Sequence, residues 1–185
     1  RQPTVVRGPK PAPVLKEWGI RIDHRAPEPN TWRELLETLT AAFPLQGFRL
    51  AIQEYGVPSE QLYDELRQRG ASVRSVPVYR WELPDDIVPL QNALRRIVAG
   101  EVDICLFTSA QQIHHVAQVA EGMPLAAEWR EAARRCLIAS IGPTCTEALR
   151  GEGLQVDFEA SPPKMGQLVV GALSALRARR NETGR

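Results

Sequence analysis

The sequence predicts an α/β protein made of two related lobes, each built on a parallel sheet, and two observations carry this. Short β-rich runs alternate with helical stretches along the whole chain, which is the pattern of βα units. The chain also repeats itself without a gap at an offset of 134 positions, so that the segment from Val5 aligns on the segment from Ala139. Gly8 and Pro9 fall on Gly142 and Pro143; Leu15, Gly19, Asp23, Ala26, Pro29 and Leu39 fall on Leu149, Gly153, Asp157, Ala160, Pro163 and Leu173. Solenoid repeats recur at about 20 to 50 residues, so this longer period marks a duplicated half-molecule and places function between two related lobes.

Taken in order, strands are expected near Thr4–Val6, Arg21–His24, Arg49–Gln53, Ser72–Val78, Asp103–Thr108, Cys136–Ile141 and Gln155–Phe158, where β-branched and apolar residues cluster between turn signals. Helices are expected over Pro58–Arg69, Asp86–Ala99, Ser109–Ala120, Pro143–Gly151 and Lys164–Ala178. Pro58 reads as a first-turn residue, Asn30 and Thr31 as the cap of the WRELLETL helix, and Gly19, Gly70 and Gly153 as left-handed residues after a last turn. The stretch from Arg80 to Pro89 shifts in composition and is the candidate crossing between lobes; RARRNETGR reads as a solvated charged tail. Only seven residues precede Gly8, far fewer than the equivalent stretch before Gly142, so a fragment of a longer protein is expected.

A net charge of +1 gives no basic or acidic excess that would call for nucleic acid or an anionic membrane. No apolar run approaches the roughly 20 residues of a membrane span, and Arg1 to Lys10 lacks the apolar core of a signal peptide; a cytoplasmic protein without membrane or nucleic-acid partners is expected. Cys105, Cys136 and Cys145 have the spacing of neither a disulfide framework nor a zinc site. Cys105, inside DICLF, reads as a small buried hydrophobe. His24, His114 and His115 form no ligand pattern, so no metal is expected.

Chemistry is expected where strands end. In VVRGPK and ASIGPT a strand runs into Gly-Pro and then a helix, which turns backbone N–H groups and the positive end of a helix toward a carboxylate or phosphate. Thr144 adds a hydroxyl there and Lys10, its repeat partner, a charge; Arg7 can fork onto a carboxylate. The alternative reading of Gly8 and Gly142 is plain punctuation. Thr108 and Ser109 end another strand and either cap the next helix or face a ligand, while Tyr55 and Gly56 end a third, as an anion cradle or a simple loop. GxGxxG, P-loop, GxSxG, HExxH and CxxC patterns are all absent. The groups present suit an anionic ligand that needs positioning more than it needs a nucleophile.

Four segments in order, VVRGPKPAPVLKEWGI, LAIQEYGVPSEQLYDELRQRGASVRSVPVYRW, GEVDICLFTSAQQI and IASIGPTCTEALRGEGLQVDFEASPPKMGQLV, closely resemble the uroporphyrinogen-III synthase family over nearly the whole chain. The resemblance implies two flavodoxin-like lobes joined by a two-stranded ladder that includes PVYRW, with residues 1–80 in an incomplete central lobe and 81–185 in a second lobe lacking its N-terminal strand. It implies a monomeric enzyme without cofactor that cyclises the linear tetrapyrrole hydroxymethylbilane to uroporphyrinogen III in the cleft, losing water and inverting the last ring. It also implies Tyr79 as the acid that assists hydroxyl departure, and Thr144 as a substrate-binding hydroxyl; set beside it, the strand-end residues Arg7, Gly8, Lys10, Tyr55, Gly56, Thr108, Ser109 and Gly142 are expected around the carboxylate arms. The alternative role for Tyr79 is a ladder tyrosine that only packs. The chain departs from the family pattern at Cys145, where a second hydroxyl is usual, and at Gln111 and Gln112, where small residues are usual. Two other functions fit the same body: a regulatory, tetrapyrrole-sensing relative fused to a DNA-binding segment, and a generic two-lobe anion receptor.

Overall fold

A computed structural model describes residues 2–183 and divides into two compact units, Arg1–Glu82 and Leu83–Arg185. The first unit runs β1 (Val5–Val6), α1 (Ala12–Glu17), β2 (His24–Arg25), α2 (Trp32–Ala42), β3 (Arg49–Gln53), α3 (Glu60–Gln68) and β4 (Ser72–Val76). The second runs α4 (Val88–Val98), β5 (Ile104–Phe107), α5 (Ala110–Glu121), α6 (Ala126–Ala133), β6 (Leu137–Ser140), α7 (Pro143–Gly151), β7 (Phe158–Glu159) and α8 (Met165–Thr183). Every strand pair is parallel: β1 with β2, β3 with β4, and β5, β6 and β7 in that order. The expected α/β class with parallel strands is therefore what the chain adopts.

In the second unit β6 is buried along its whole length, as a central parallel strand covered on both faces must be. Side chains alternate across it. Ile138 points into a core with Phe107, Ile113, Trp129 and Leu149, while Leu137 and Ala139 point into another with Leu168 and Ala172 of α8. In the first unit one core holds Leu36 and Leu39 of α2, Leu62, Tyr63 and Leu66 of α3, and the inward residues Leu50, Ile52 and Val73 of β3 and β4.

The duplication is written into the hydrogen bonds as well as the letters. Val5 pairs with His24 and Val6 with Arg25; at the same offset Ala139 pairs with Phe158 and Ser140 with Glu159. The Asp23 carboxylate accepts from the Thr4 N–H at 2.9 Å, and Asp157 accepts from the Ile138 N–H at 2.8 Å. Behind α1 and α7 the N–H of Ile20 reaches Leu15 O and that of Leu154 reaches Leu149 O, beside Gly19 and Gly153 in the left-handed region (φ 67° and 76°). The halves differ in what covers their last shared helix. Leu35, Leu36 and Leu39 of α2 pack in the first core, whereas the equivalent Val169, Val170 and Leu173 of α8 are exposed.

Several expected boundaries move. Two strands lie later than expected, at His24–Arg25 and Phe158–Glu159: the aspartate before each opens the pairing, its N–H donating to Thr4 O or Ile138 O and its carboxylate accepting from that same residue's N–H, and the paired residues follow it. β4 stops at Val76, since Pro77 has no N–H for a ladder. PVYRW forms no strand among the described residues: a strand needs a partner for its amides, and residues 77–82 pair with none there. Pro58 precedes the cap Ser59 rather than opening the helix. The charged tail is helical through Thr183, tied back by Arg179, whose guanidinium donates to Cys136 O at 3.3 Å, and by Arg180, 2.9 Å from Asp103. Gly184 and Arg185 lie outside the described residues, and α6 was not among the helices expected.

α2 starts as the sequence predicts, with a full capping box. Thr31 Oγ1 accepts from the Arg33 N–H at 3.2 Å, and the Glu34 carboxylate accepts from the Thr31 N–H at 2.7 Å. Burial alone would raise the Glu34 carboxyl, but the bonds from Thr31 outweigh it and hold the group below 4.5. Thr31→Ala is expected to cost about 1 kcal/mol in denaturant unfolding at neutral pH. A lowered folded-state value contributes stability above pH 4.5 that fades as the pH falls through it, so the gap between parent and variant should narrow in acid. A gap that stays constant down to about pH 3 would assign the loss to something other than this pair.

Candidate active site

In the first unit three segments that are far apart in sequence end at one place. Arg7 follows β1, Tyr55 and Gly56 follow β3, and Tyr79 and Trp81 follow β4. The Arg7 guanidinium carbon lies 5.3 Å from the centre of the Tyr55 ring. Ring centres are 6.1 Å apart for Tyr55 and Tyr79, 5.5 Å for Tyr55 and Trp81, and 5.9 Å for Tyr79 and Trp81, all edge-on or tilted. Trp81 Nε1 donates to the Tyr55 carbonyl at 3.0 Å. Gly56 makes the cluster possible: it is left-handed, at φ +69°, and a Cβ there would lie 2.5 Å from Trp81 Cδ1 and 2.8 Å from Tyr79 Cε2.

Electrostatics follow from this packing. Burial pushes the Tyr79 phenol above 10.0, the neighbouring Tyr55 adds to the rise, and Arg7 opposes both. Tyr79 is therefore a protonated donor at neutral pH. Beneath the cluster, Glu54 is buried and accepts from the Tyr63 hydroxyl at 3.2 Å and from the Ser75 hydroxyl, while its N–H donates to Val76 O at 3.1 Å. One carboxylate thus ties the tips of β3 and β4 to α3.

The loop at Gly8 differs from expectation. Pro9 does not open a helix; α1 begins at Ala12, with Pro11 as its cap residue. Pro13 lacks the N–H that a helix opened at Pro9 would need, so the helix can start only where Pro13 falls in its first turn. A Cβ at Gly8 would lie 3.5 Å from the Asn30 side chain, and with its amide oriented nitrogen-inward Asn30 donates to Arg7 O at 2.9 Å and Ala26 O at 3.2 Å, which ties this loop. Lys10 is exposed.

In the second unit Gly142 and Pro143 behave as predicted, capping and opening α7, and Thr144 is exposed beside them. Gly142 is extended, and a Cβ would sit 3.3 Å from the Pro163 side chain. A buried polar set missed by the sequence reading lies below: the Ser140 and Thr146 hydroxyls are 2.5 Å apart, and Thr146 donates to Glu159 at 2.5 Å. Thr146 was legible as a second hydroxyl one place beyond Cys145. Thr108 and Ser109 do precede α5, but the Thr108 N–H and hydroxyl both donate to Gln112 Oε1, at 2.7 and 3.2 Å. Ser109 occupies the cap position without a side-chain bond. Cys105 and Cys145 are buried and pushed up, to about 12 and about 11, by that burial.

Arg7, Tyr55, Gly56 and Tyr79 are thus brought together. Thr108 and Ser109, and Gly142 and Thr144, occupy two further strand ends, in the second unit. Among the described residues no cluster of three or more His, Cys, Asp or Glu is placed to hold a metal, and no helix is long and apolar enough to cross a membrane.

Comparison with known proteins gives the family. A mutant uroporphyrinogen III synthase of Thermus thermophilus, solved by crystallography, superposes with a TM-score of 0.65 at 28% identity, over 94% of this chain and 65% of that one. The wild-type crystal form of that protein gives 0.52 at 29% identity, over 95% and 65%. A Methanothermobacter thermautotrophicus protein named "Putative uroporphyrinogen-III synthase" is 30% identical over 149 residues, 80% of this chain. The chain spans 57% of that relative's length. With a family match running over residues 2–170 and solved neighbours of the same kind, the chain belongs to the family described as uroporphyrinogen-III synthase HemD.

Proposed function

We propose that the protein is a uroporphyrinogen-III synthase that closes hydroxymethylbilane to uroporphyrinogen III, with loss of water and inversion of the last ring. The observation that carries this reading is Tyr79, a protonated phenol fixed among Tyr55, Trp81 and Arg7 at the carboxyl ends of β1, β3 and β4. The family match supports it.

In this mechanism the Tyr79 hydroxyl gives its proton to the departing terminal hydroxyl, which leaves as water. The ring left behind is a cationic azafulvene, and a pyrrole carbon of the last ring attacks it. Attack through the carbon that already bears the bridge moves the charge onto the last ring. The old bridge bond then breaks to give a second azafulvene cation, and the ring's free α-carbon closes on it. The proton lost as aromaticity returns balances the one donated, leaving the ring inverted. The nucleophile belongs to the substrate, so the protein's main task is orientation: holding the chain so that closure occurs with inversion. The Arg7 guanidinium and the amides and hydroxyls at Gly8, Gly142 and Thr144 are the groups proposed to take carboxylate arms, with Lys10 adding charge. Thr108 serves such an arm only after giving up Gln112.

The test is an assay of the intact gene product with enzymatically generated hydroxymethylbilane, scored for product isomer. Isomer III in excess of the spontaneous isomer I is expected. Isomer I alone would sink the reading.

A further inference from the structure

We propose that Arg7, Tyr55, Tyr79 and Trp81 form a receptor for a single carboxylate-bearing pyrrole ring, and that Trp81 is the positioning residue that aims Tyr79 at it. The proposal rests on the synthase reading for its ligand class, and on the geometry of the cluster for everything else.

Three features make the cluster more than surface aromatics. First, Tyr55 and Tyr79 stay 48% and 43% exposed although each ring is fixed by its neighbours. No pair among the three is stacked: interplanar angles of 84°, 58° and 77° leave ring faces uncovered. An electron-rich planar ring can lie on one face and meet the edge of another, the arrangement aromatic groups favour. Second, Arg7 sits over Tyr55 through its guanidinium carbon. A cation held by a ring face keeps in-plane N–H donors for a carboxylate, so ring and arm are read side by side.

Third, the position of Trp81 is set twice. Its indole N–H is bonded to the Tyr55 carbonyl, and its ring occupies the space that a side chain at residue 56 would fill. Tyr79 rests against both Gly56 and Trp81. Among the described residues the segment that carries Tyr79 has no strand partner that would fix its phenol. The indole fixes it, through one directional bond and one edge contact. Trp81 therefore governs where the proton of Tyr79 is delivered without donating one itself.

The experiment uses the intact gene product and a monopyrrole carrying an acetate and a propionate arm, followed by saturation-transfer NMR and by titration. The parent should bind it, and Arg7→Gln should weaken binding about tenfold, the value of one charge-assisted pair. The same pyrrole without carboxylates should bind the parent no better than the diacid binds Arg7→Gln. Trp81→Leu should weaken diacid binding and also lower kcat about tenfold or more, while Trp81→Phe, which keeps a ring, should restore binding more than it restores kcat because the bond to Tyr55 O stays lost. Arg7 is exposed, so its variant remains informative if Trp81→Leu fails to fold. A parent that does not bind the diacid, or Arg7→Gln and Trp81→Phe variants that bind and turn over as the parent does, would overturn the proposal. The two readings fail separately: isomer III production with unaffected variants removes the receptor and leaves the synthase, whereas selective pyrrole binding without isomer III removes the synthase and leaves the receptor.

Discussion

Tyr79→Phe is expected to lower turnover at least about a hundredfold, the lower end of what a positioned general acid contributes. Phenylalanine keeps the ring that packs on Trp81 and Gly56, so the loss measures the hydroxyl and not the cluster. Binding of the product, followed separately by titration, should change little. The parent's pH profile carries a second signature. Burial first, then Tyr55, holds the phenol above its ordinary 10.0 against the opposing pull of Arg7. The acid works only while protonated, so activity should persist through neutral and mildly alkaline pH and fall as the pH rises through that raised value. Turnover of Tyr79→Phe equal to the parent's would remove this residue from the mechanism and leave it a packing role.

The second large effect is a matched pair in the duplicated frame. Leu36 and Val170 are equivalent positions on α2 and α8, yet Leu36 is 9% exposed and Val170 65%. Leu36→Ala opens a hole among Leu62, Tyr63 and Leu66 and should cost about 2 to 4 kcal/mol. Val170→Ala removes surface that water already reaches and exchanges a β-branched residue for the best helix former, so its cost should lie within about 0.5 kcal/mol of zero. Hydrogen exchange resolved by residue reads the two units separately, which a single melting curve does not. Equal losses at both positions would contradict the burial difference.

Local signals in the sequence carried well into the fold. The capping box at Thr31 and Glu34, the left-handed glycines behind α1, α3 and α7, and the Gly-Pro start of α7 depend on residues within a turn of one another, and each stands where it was expected. Pro13 was equally visible and overruled the parallel drawn between Gly8-Pro9 and Gly142-Pro143. The Arg7, Tyr55, Tyr79 and Trp81 cluster was half legible. Arg7 and Tyr55 were picked as strand-end residues and Tyr79 through the family resemblance, but that they meet depends on how β1, β3 and β4 are arranged, and Trp81 gave no periodic or motif signal of its own. The Gln112 bonds to Thr108 were missed because a glutamine in the first turn of a helix reads equally as a solvated side chain.

The aspartate bond shared by the halves bears on how the two copies could diverge. In each, an aspartate bonds one residue of the neighbouring strand twice, its carboxylate accepting and its N–H donating, at Thr4 for Asp23 and at Ile138 for Asp157. A scaffold indexed in this way leaves the sheet faces free to change without slipping its register. One copy keeps Val6 and Ala12 where the other has Ser140 and Thr146, joined to each other and to Glu159 beneath the Gly142 loop. The two halves thus share a coordinate system and mount different chemistry on it.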